Sequence, residues 1–336
     1  MTQLVSLIII NWNGEKHLPD LLDSIKQQTY KNIETIVWDN VSTDSSVKIC
    51  KKYPWANCIE SKNNLGYSGG TEEAIKNANG EFFFVLNNDI VLEKQCVEKI
   101  MKKFSDNSDT GIVFPREIYY GHFPKTPVQK LIPKINFFGY TSRKNKTTET
   151  NFSLGAAFVL SKKAFEKIKY CFDKRFFMYY EDSDISMRIT GNSMKIIFAE
   201  ESIFWHKAAQ SIPKNRYYYV MRNRIWCFRK LFSGHRFLRI LPLILIRDFL
   251  LIIVDEKFSL SVAKQMTHAY KDGLKSKHNF KKEKMSREGQ IKILKSLENS
   301  YDAGSTGFAR IYTALVSLIS EIYFRIVFFP ELYLSR

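Results

Sequence analysis

The sequence predicts an α/β protein: a mostly parallel sheet flanked by helices, followed by a helical C-terminal region. Three observations carry that expectation. Short, continuous apolar runs recur at Leu4–Ile10, Ile33–Trp38 and within Phe82–Val91, as strands do when both faces of a parallel sheet are covered. Segments with apolar residues at helical spacing separate them, so strands and helices alternate. Each run ends in polar residues, at Asn11, at Asp39 and at Asn87-Asn88-Asp89. Right-handed crossovers bring such ends to one rim of the sheet, the edge where open α/β sheets bind ligands.

The first run closes on Asn11-Trp12-Asn13-Gly14, residues that favour turns. Leu18, Leu21, Leu22 and Ile25 then recur at i, i+3, i+4 and i+7, with Pro19 in the first turn, and predict a helix. The second strand stops at Asp39-Asn40, and Ser42, Thr43 and Asp44 are N-cap candidates for a helix to about Tyr53. After a short strand near Cys58, the stretch from Asn64 to Gly70 opens a helix through Ile75. Glycines such as Gly66 allow close backbone approach to a ligand at a helix start. The strand from Phe82 is followed by a helix with Val97, Ile100, Met101 and Phe104 on one face.

From Pro115 to Asn151 the pattern lapses into a Lys-, Thr- and Pro-rich segment that reads as a long loop or lid. Order returns with Ser153–Leu160 and a helix from Ser161 to Ile168. The aromatic run Phe176–Tyr180 leads into Glu181-Asp182-Ser183-Asp184 and a short helix ended by Gly191. Lys195–Ala199 and Ile203–Trp205 read as two strands, with His206 closing the second.

Composition bounds the rest. With 336 residues and 45% apolar content the chain can bury a sizeable core. Its net charge of +17 is uneven: from Arg216 to the end there are 22 Lys and Arg against 10 Asp and Glu. We therefore divide the chain into 1–215 and 216–336. In the second part, Leu241–Val254 and Ile311–Phe329 are apolar but broken by Arg247-Asp248 and by Glu321 and Arg325. Neither reads as a membrane span. Basic and aromatic flanks suit helices lying on a membrane surface; a helical core with a basic solvated face, or a homo-oligomer contact, is the plainer alternative. No nucleic-acid-binding pattern accompanies the charge, so nucleic acid is not an expected partner. The opening Met1-Thr2-Gln3 has no signal-peptide pattern, and the five cysteines show no metal or redox spacing. Both features suit a cytoplasmic location.

The polar rim suggests chemistry. A nucleoside diphosphate needs a divalent cation, and hard cations take oxygen ligands such as the Asp89 carboxylate. His206 offers a nitrogen that suits Mn²⁺ better than Mg²⁺. Asp39 reads equally as a turn residue or as a contact to a base or ribose. Glu181-Asp182, beside apolar bulk, reads either as a general base of raised pKa or as a helix N-cap cluster.

Seven segments extend these hints: VSLIIINWNGEKHLPDLLDSIKQQTY, IVWDNVSTDSS, NNLGYSGG, FFFVLNNDI, GAAFVLSKKAFEKI, FFMYYEDSDISMRI and IFWHK. In this order and spacing, over residues 4–230, the chain resembles the family 2 glycosyltransferases, in particular the bacterial rhamnosyltransferase-like branch. The resemblance implies a GT-A (Rossmann-like) fold and an inverting, metal-dependent transfer from a nucleoside-diphosphate sugar, dTDP-rhamnose or a UDP-sugar. The implied acceptor is a saccharide hydroxyl, lipid-linked, at the inner face of the cell membrane in cell-surface polysaccharide synthesis. Asp89 then stands in the family's D-x-D position as metal ligand, completed by His206, with Mn²⁺ or Mg²⁺ as cofactor. Asp39 would contact the base, Asn11 and Trp12 would line the nucleotide pocket, and Asn64, Gly66 and Asn88 would bind the donor. Asp182 matches the catalytic base. Asn87 replaces the first acid of D-x-D, Thr71-Glu72 stands where Asn residues commonly follow the glycines, and Lys207–Ser211 replaces a glycine-rich loop. The Q-x-x-R-W motif is absent near Arg222–Trp226, which argues against a chain-elongating synthase. A sugar-nucleotide or carbohydrate-binding protein without catalysis is the alternative.

Overall fold

The computed structural model describes residues 2–119, 131–136, 139–144, 148–207, 213–250, 259–276, 284–298, 322–323 and 326–328. They fall into two units: Met1–Ile132 with Asn145–Ile189 and Met194–Ser211, and Pro133–Lys144 with Thr190–Ser193 and Ile212–Arg336.

The first unit begins β1 (Val5–Asn11), α1 (Leu18–Lys26), β2 (Ile33–Asp39), α2 (Ser46–Cys50), β3 (Ala56–Glu60), α3 (Gly66–Ile75) and β4 (Phe82–Asn87). It continues with β5 (Ile90–Leu92), α4 (Cys96–Asp106), β6 (Thr110–Tyr119), β9 (Glu149–Thr150), β10 (Ala157–Ser161), α5 (Lys162–Ile168), α6 (Glu181–Gly191) and β11 (Lys195–His206). Between β6 and β9 in sequence, β7 (Leu131–Asn136) and β8 (Gly139–Lys144) pair with each other.

The main sheet has the order β3-β2-β1-β4-β10-β6-β11-β5, with β9 added on β11. From β3 to β4 it is parallel. β1 lies between β2 and β4, in a register that sets Asn11 beside Asp39 and Ile10 beside Asn87. The three polar strand ends therefore do share a rim. Beyond β4 the sheet becomes mixed, because β10 runs antiparallel to β4 and β6, and β5 antiparallel to β11.

The unbroken apolar runs follow from burial of both faces. Leu7, Ile9, Phe84 and Leu86 pack on one side with Leu18, Leu21, Leu22 and Ile25 of α1 and Val97 and Ile100 of α4. Ile8, Ile10, Phe83 and Val85 pack on the other with Ala74, Ile75, Ala164, Ile185 and Ile189. Alternate residues point to opposite faces, and each buried side chain of this size contributes about 1.5–3 kcal/mol.

Several sequence expectations are corrected. The segment read as a loop from Pro115 to Asn151 contains the end of β6, the pair β7–β8, and β9. Lys and Pro residues are tolerated in short, two-stranded or edge pairings, which hides such strands from an apolar pattern. The two strands expected at Lys195–Ala199 and Ile203–Trp205 are one strand, β11, whose pairing with β6 jumps from Ala199↔Pro115 to Ile203↔Arg116. The residues between form a bulge. The helix expected to reach Tyr53 is the five-residue α2. Ser161 is an N-cap, its Oγ accepting from Ala164 N at 3.2 Å.

The second unit holds α7 (Arg216–Leu231), α8 (Gly234–Leu250), α9 (Leu260–Lys275) and α10 (Arg287–Glu298). The charge that interrupts the apolar run of α8 has an interior partner. Asp248 is buried, paired with buried Arg224, and accepts from Tyr270 Oη at 2.8 Å. Arg222 stacks over Trp226 at 4.3 Å. Among the described residues no helix is long and apolar enough to cross a membrane. Most of Ile311–Phe329 lies outside the described residues.

Candidate active site

The rim is organised by a line of side-chain amides. Asn11, at the end of β1, is buried; its Nδ2 donates to Asp39 Oδ1 at 2.7 Å and to Ser42 Oγ at 3.2 Å. Its Oδ1 accepts from Asn88 Nδ2 at 2.8 Å. Asp39, only 3% exposed, also accepts from Ser42 N at 2.8 Å through Oδ2. A carboxylate has about four lone-pair positions, so Oδ2 keeps room for a ligand donor. Trp12, next to Asn11, is 58% exposed and offers a bare aromatic face at the rim.

Gly14 makes this line possible. A Cβ there would lie 2.2 Å from Asn11 Oδ1 and 2.4 Å from Asn88 Nδ2. Asn40 holds the next loop, its Nδ2 donating to Gly66 O at 2.9 Å while its Oδ1 accepts from Trp38 Nε1 at 3.1 Å. Asn64 is exposed and its Oδ1 accepts from Gly66 N at 2.9 Å. Gly66 has φ +69°, and a Cβ would stand 2.3 Å from Phe177 O; the close approach that demands glycine is to that backbone. Thr71 and Glu72 are also occupied locally. Thr71 Oγ1 donates to Tyr67 O at 2.8 Å, and Glu72 accepts from Cys171 N and Phe172 N, both at 2.8 Å.

Past Asn88, Asp89 sits in the turn between β4 and β5 and is 5% exposed. His206, at the end of β11, places Nε2 3.2 Å from Asp89 Oδ1. Its other nitrogen, Nδ1, is hydrogen-bonded to Glu117 Oε1 of β6. Burial works against charge on this ring, yet the bonds to Asp89 and Glu117 hold its pKa up at about 9. Among the described residues no three His, Cys, Asp or Glu side chains are grouped as a metal cage. A carboxylate with an imidazole is nevertheless a donor pair that Mn²⁺ accepts when substrate phosphates complete the shell.

Asp182 lies in the first turn of α6 and is half-buried. Its Oδ1 accepts from Ser183 N at 2.7 Å. A Cβ on Gly155 would meet the Asp182 Cβ at 3.3 Å, and Gly155 O accepts from Tyr67 Oη at 2.6 Å. Burial pushes the Tyr67 phenol well above its ordinary value, and the charges of Glu181, Asp182 and Asp89 push the same way. Tyr67 thus stands within electrostatic reach of both aspartates. Asp184, by contrast, belongs to the framework: it pairs with Arg188 at 2.8 Å, and Arg188 donates to Tyr170 O at 2.7 Å.

The raised pKa expected of the acidic pair falls on Glu181. It is 8% exposed, its Oε2 has no hydrogen-bond partner, and burial followed by the charge of Asp182 pushes it up to about 8. Gly14, Asn40, Tyr67, Glu117 and Gly155 were not singled out from sequence. Gly14 carried a local signal inside the Asn-Trp-Asn-Gly turn, and Asn40 one at the end of its strand.

The family model of Glycosyl transferase family 2 matches residues 6–169. Glycosyltransferase GlyA of Streptococcus pneumoniae is 26% identical over 60% of this chain and 30% of its own length. The Escherichia coli UDP-Glc:alpha-D-GlcNAc-diphosphoundecaprenol beta-1,3-glucosyltransferase WfaP is 32% identical over 40% of this chain and 54% of its own length. The chain thus spans about a third to a half of these relatives. The crystal structure of Staphylococcus aureus TarS 1–349 in complex with UDP is similar in fold, with a TM-score of 0.59 and 16% identity over 99% of this chain and 93% of that one. The unit that carries the rim, with its central sheet flanked by helices, has the GT-A fold and belongs to glycosyl transferase family 2.

Proposed function

We propose that the protein transfers a sugar, with inversion, from a nucleoside-diphosphate sugar to a hydroxyl of a saccharide acceptor. The observation that carries this reading is the continuous run of rim groups from Asp39 through Asn11 and Asn88 to Asp89 and His206. Tyr67 and Gly155 connect it to Asp182. Trp12 offers a stacking face for the base and Asp39 Oδ2 an acceptor for one of its N–H groups. Asn64 and Gly66 shape the adjoining loop. Asp89 and His206 would hold a divalent cation, Mn²⁺ or Mg²⁺, which when bound neutralises charge on a departing diphosphate.

Asp182 is the general base. It takes the proton of the acceptor hydroxyl as that oxygen bonds to the anomeric carbon, and the bond from that carbon to the diphosphate breaks with its electron pair leaving on oxygen. Glu181 supports this division. Two adjacent carboxylates in a buried setting do not both ionise readily, and the proton kept on Glu181 leaves Asp182 as the carboxylate. Asp182→Asn abolishes transfer while nucleotide binding, read by thermal shift with UDP-, dTDP- and GDP-sugars with and without Mn²⁺, persists. Transfer at the wild-type rate in that variant removes Asp182 from the role.

The acceptor is a lipid-linked saccharide, as the name of WfaP states for that enzyme, reached from a peripheral position on the inner face of the membrane. In support, α8 exposes Leu238, Leu245, Ile246 and Phe249 near exposed Arg239, in a region of marked positive charge. Such a face suits an anionic lipid surface. Sedimentation with anionic liposomes at low salt, released as salt screens the attraction, is the expected result; no sedimentation at low salt refutes it.

A further inference from the structure

Glu117 has no place in the reading above, yet it is tied to His206 through the ring nitrogen that faces away from Asp89. The sheet brings them together. β6 and β11 run parallel, Glu117 is level with Phe204, and His206 lies two residues further along β11. Since alternate residues share a face, Glu117, Phe204 and His206 point to one side. The bulge after Ala199 sets this phase, because the residues it adds to β11 decide which side chains of β11 meet Glu117. Arg116 Nη2 holds Glu200, inside the bulge, at 2.5 Å.

A neutral imidazole carries its proton on one nitrogen only, and the hydrogen bond at one nitrogen dictates the state of the other. A carboxylate is an acceptor, so Nδ1 must be the donor in the His206–Glu117 bond. By the same argument Nε2–H donates to Asp89 Oδ1 at 3.2 Å; a cation bound there would take the place of that proton and meet the Nε2 lone pair, while Nδ1–H stays on Glu117.

We propose that Glu117 is the positioning residue of a divalent-cation site formed with Asp89 and His206: by accepting Nδ1–H it fixes the ring orientation and tautomer that turn Nε2 toward the cation. Carboxylates behind metal-ligating histidines act in this way and raise the basicity of the ligand. The inference rests on the proposed cation role of Asp89 and His206, and goes beyond it by naming the group that sets the ring.

Electron paramagnetic resonance of Mn²⁺, titrated into the full chain with UDP and separately with dTDP, reads the site without turnover. Wild-type protein binds Mn²⁺, Glu117→Ala binds it 10–100-fold more weakly, and Glu117→Gln, whose side-chain oxygen still accepts Nδ1–H, regains most of the affinity. Thermal melts in EDTA check that Glu117→Ala remains folded, and ¹⁵N spectra of His206 taken above the ring's pKa of about 9 report the Nδ1–H tautomer in wild type and Glu117→Gln but a mixture in Glu117→Ala. Wild-type affinity in a folded Glu117→Ala overturns the inference while the cation site stands. Equal loss in the Ala and Gln variants overturns the tautomer argument. No Mn²⁺ binding by wild-type protein with either nucleotide removes the cation role itself, and this inference with it.

Discussion

Gly14→Ala tests whether the amide line organises the rim. The new Cβ would stand 2.2 Å from Asn11 Oδ1 and 2.4 Å from Asn88 Nδ2, atoms themselves 2.8 Å apart in a hydrogen bond. Ordinary carbon contacts begin near 3.5 Å, so a displacement of roughly 1 Å is required. Both amides must move, which pulls Asn11 against its anchors on Asp39 and Ser42 and takes the Asn88 donor away from the buried Asn11 Oδ1. A buried acceptor left unsatisfied costs about 1–3 kcal/mol. At about 2–4 °C per kcal/mol for a domain of this size, the melting temperature falls by roughly 2–12 °C. Asn88 also leads directly into Asp89, so transfer falls more than stability does. Gly234→Ala is the control, since nothing lies within 4 Å of a Cβ there. Thermal melts and donor-binding titrations of both variants decide the matter. A Gly14→Ala protein that melts and binds like the control refutes the reasoning.

Two further predictions concern buried charge. Glu181 has a folded pKa raised from 4.5 to about 8, so the native state keeps a proton that the unfolded chain has released over that interval. Its contribution to stability is complete below about 4.5 and is lost as pH rises to about 8. Glu181→Gln, always neutral, shows a shallower fall in melting temperature across that window; an unchanged slope contradicts the assignment. Asp248→Ala leaves Arg224 buried without its carboxylate, a loss of about 3–5 kcal/mol, seen as a lower melting temperature. A wild-type melt in that variant shows the pair to be unimportant.

The alternation of apolar runs and periodic segments made the parallel half of the sheet legible. Leu7 and Ile9 find one covering layer and Ile8 and Ile10 another, so no polar alternation breaks the run. The antiparallel half was harder to read. β7 and β8 are short and carry Lys and Pro, and the bulge in β11 splits one strand into two apparent ones. Propensity cannot see a pairing partner that lies 80 or so residues away. The same limit hid Glu117, whose partner His206 is separated from it by 89 positions. Asn11, Asp39 and Asp89 could be named because each closes an apolar run, but the bonds from Asn11 to Asp39 and from Asn88 to Asn11 follow from the register of β1 with its two neighbours.

The acidic pair shows where sequence reasoning had to stop and what geometry adds. Glu181-Asp182 reads from sequence as base or cap, with nothing to separate the roles. In the folded chain Asp182 does accept from Ser183 N at 2.7 Å, so local hydrogen bonding at the start of α6 is real. That bond engages Oδ1, whereas Oδ2 is the oxygen that a Cβ on Gly155 would approach, at 3.6 Å. Glu181, buried and with an unpartnered oxygen, has its pKa pushed up to about 8, which makes it a cheap place to leave a proton. In the proposed mechanism that division matters, since the hydroxyl proton must have somewhere to go as the new bond forms, and a neighbouring acid that keeps its own proton leaves that place to Asp182.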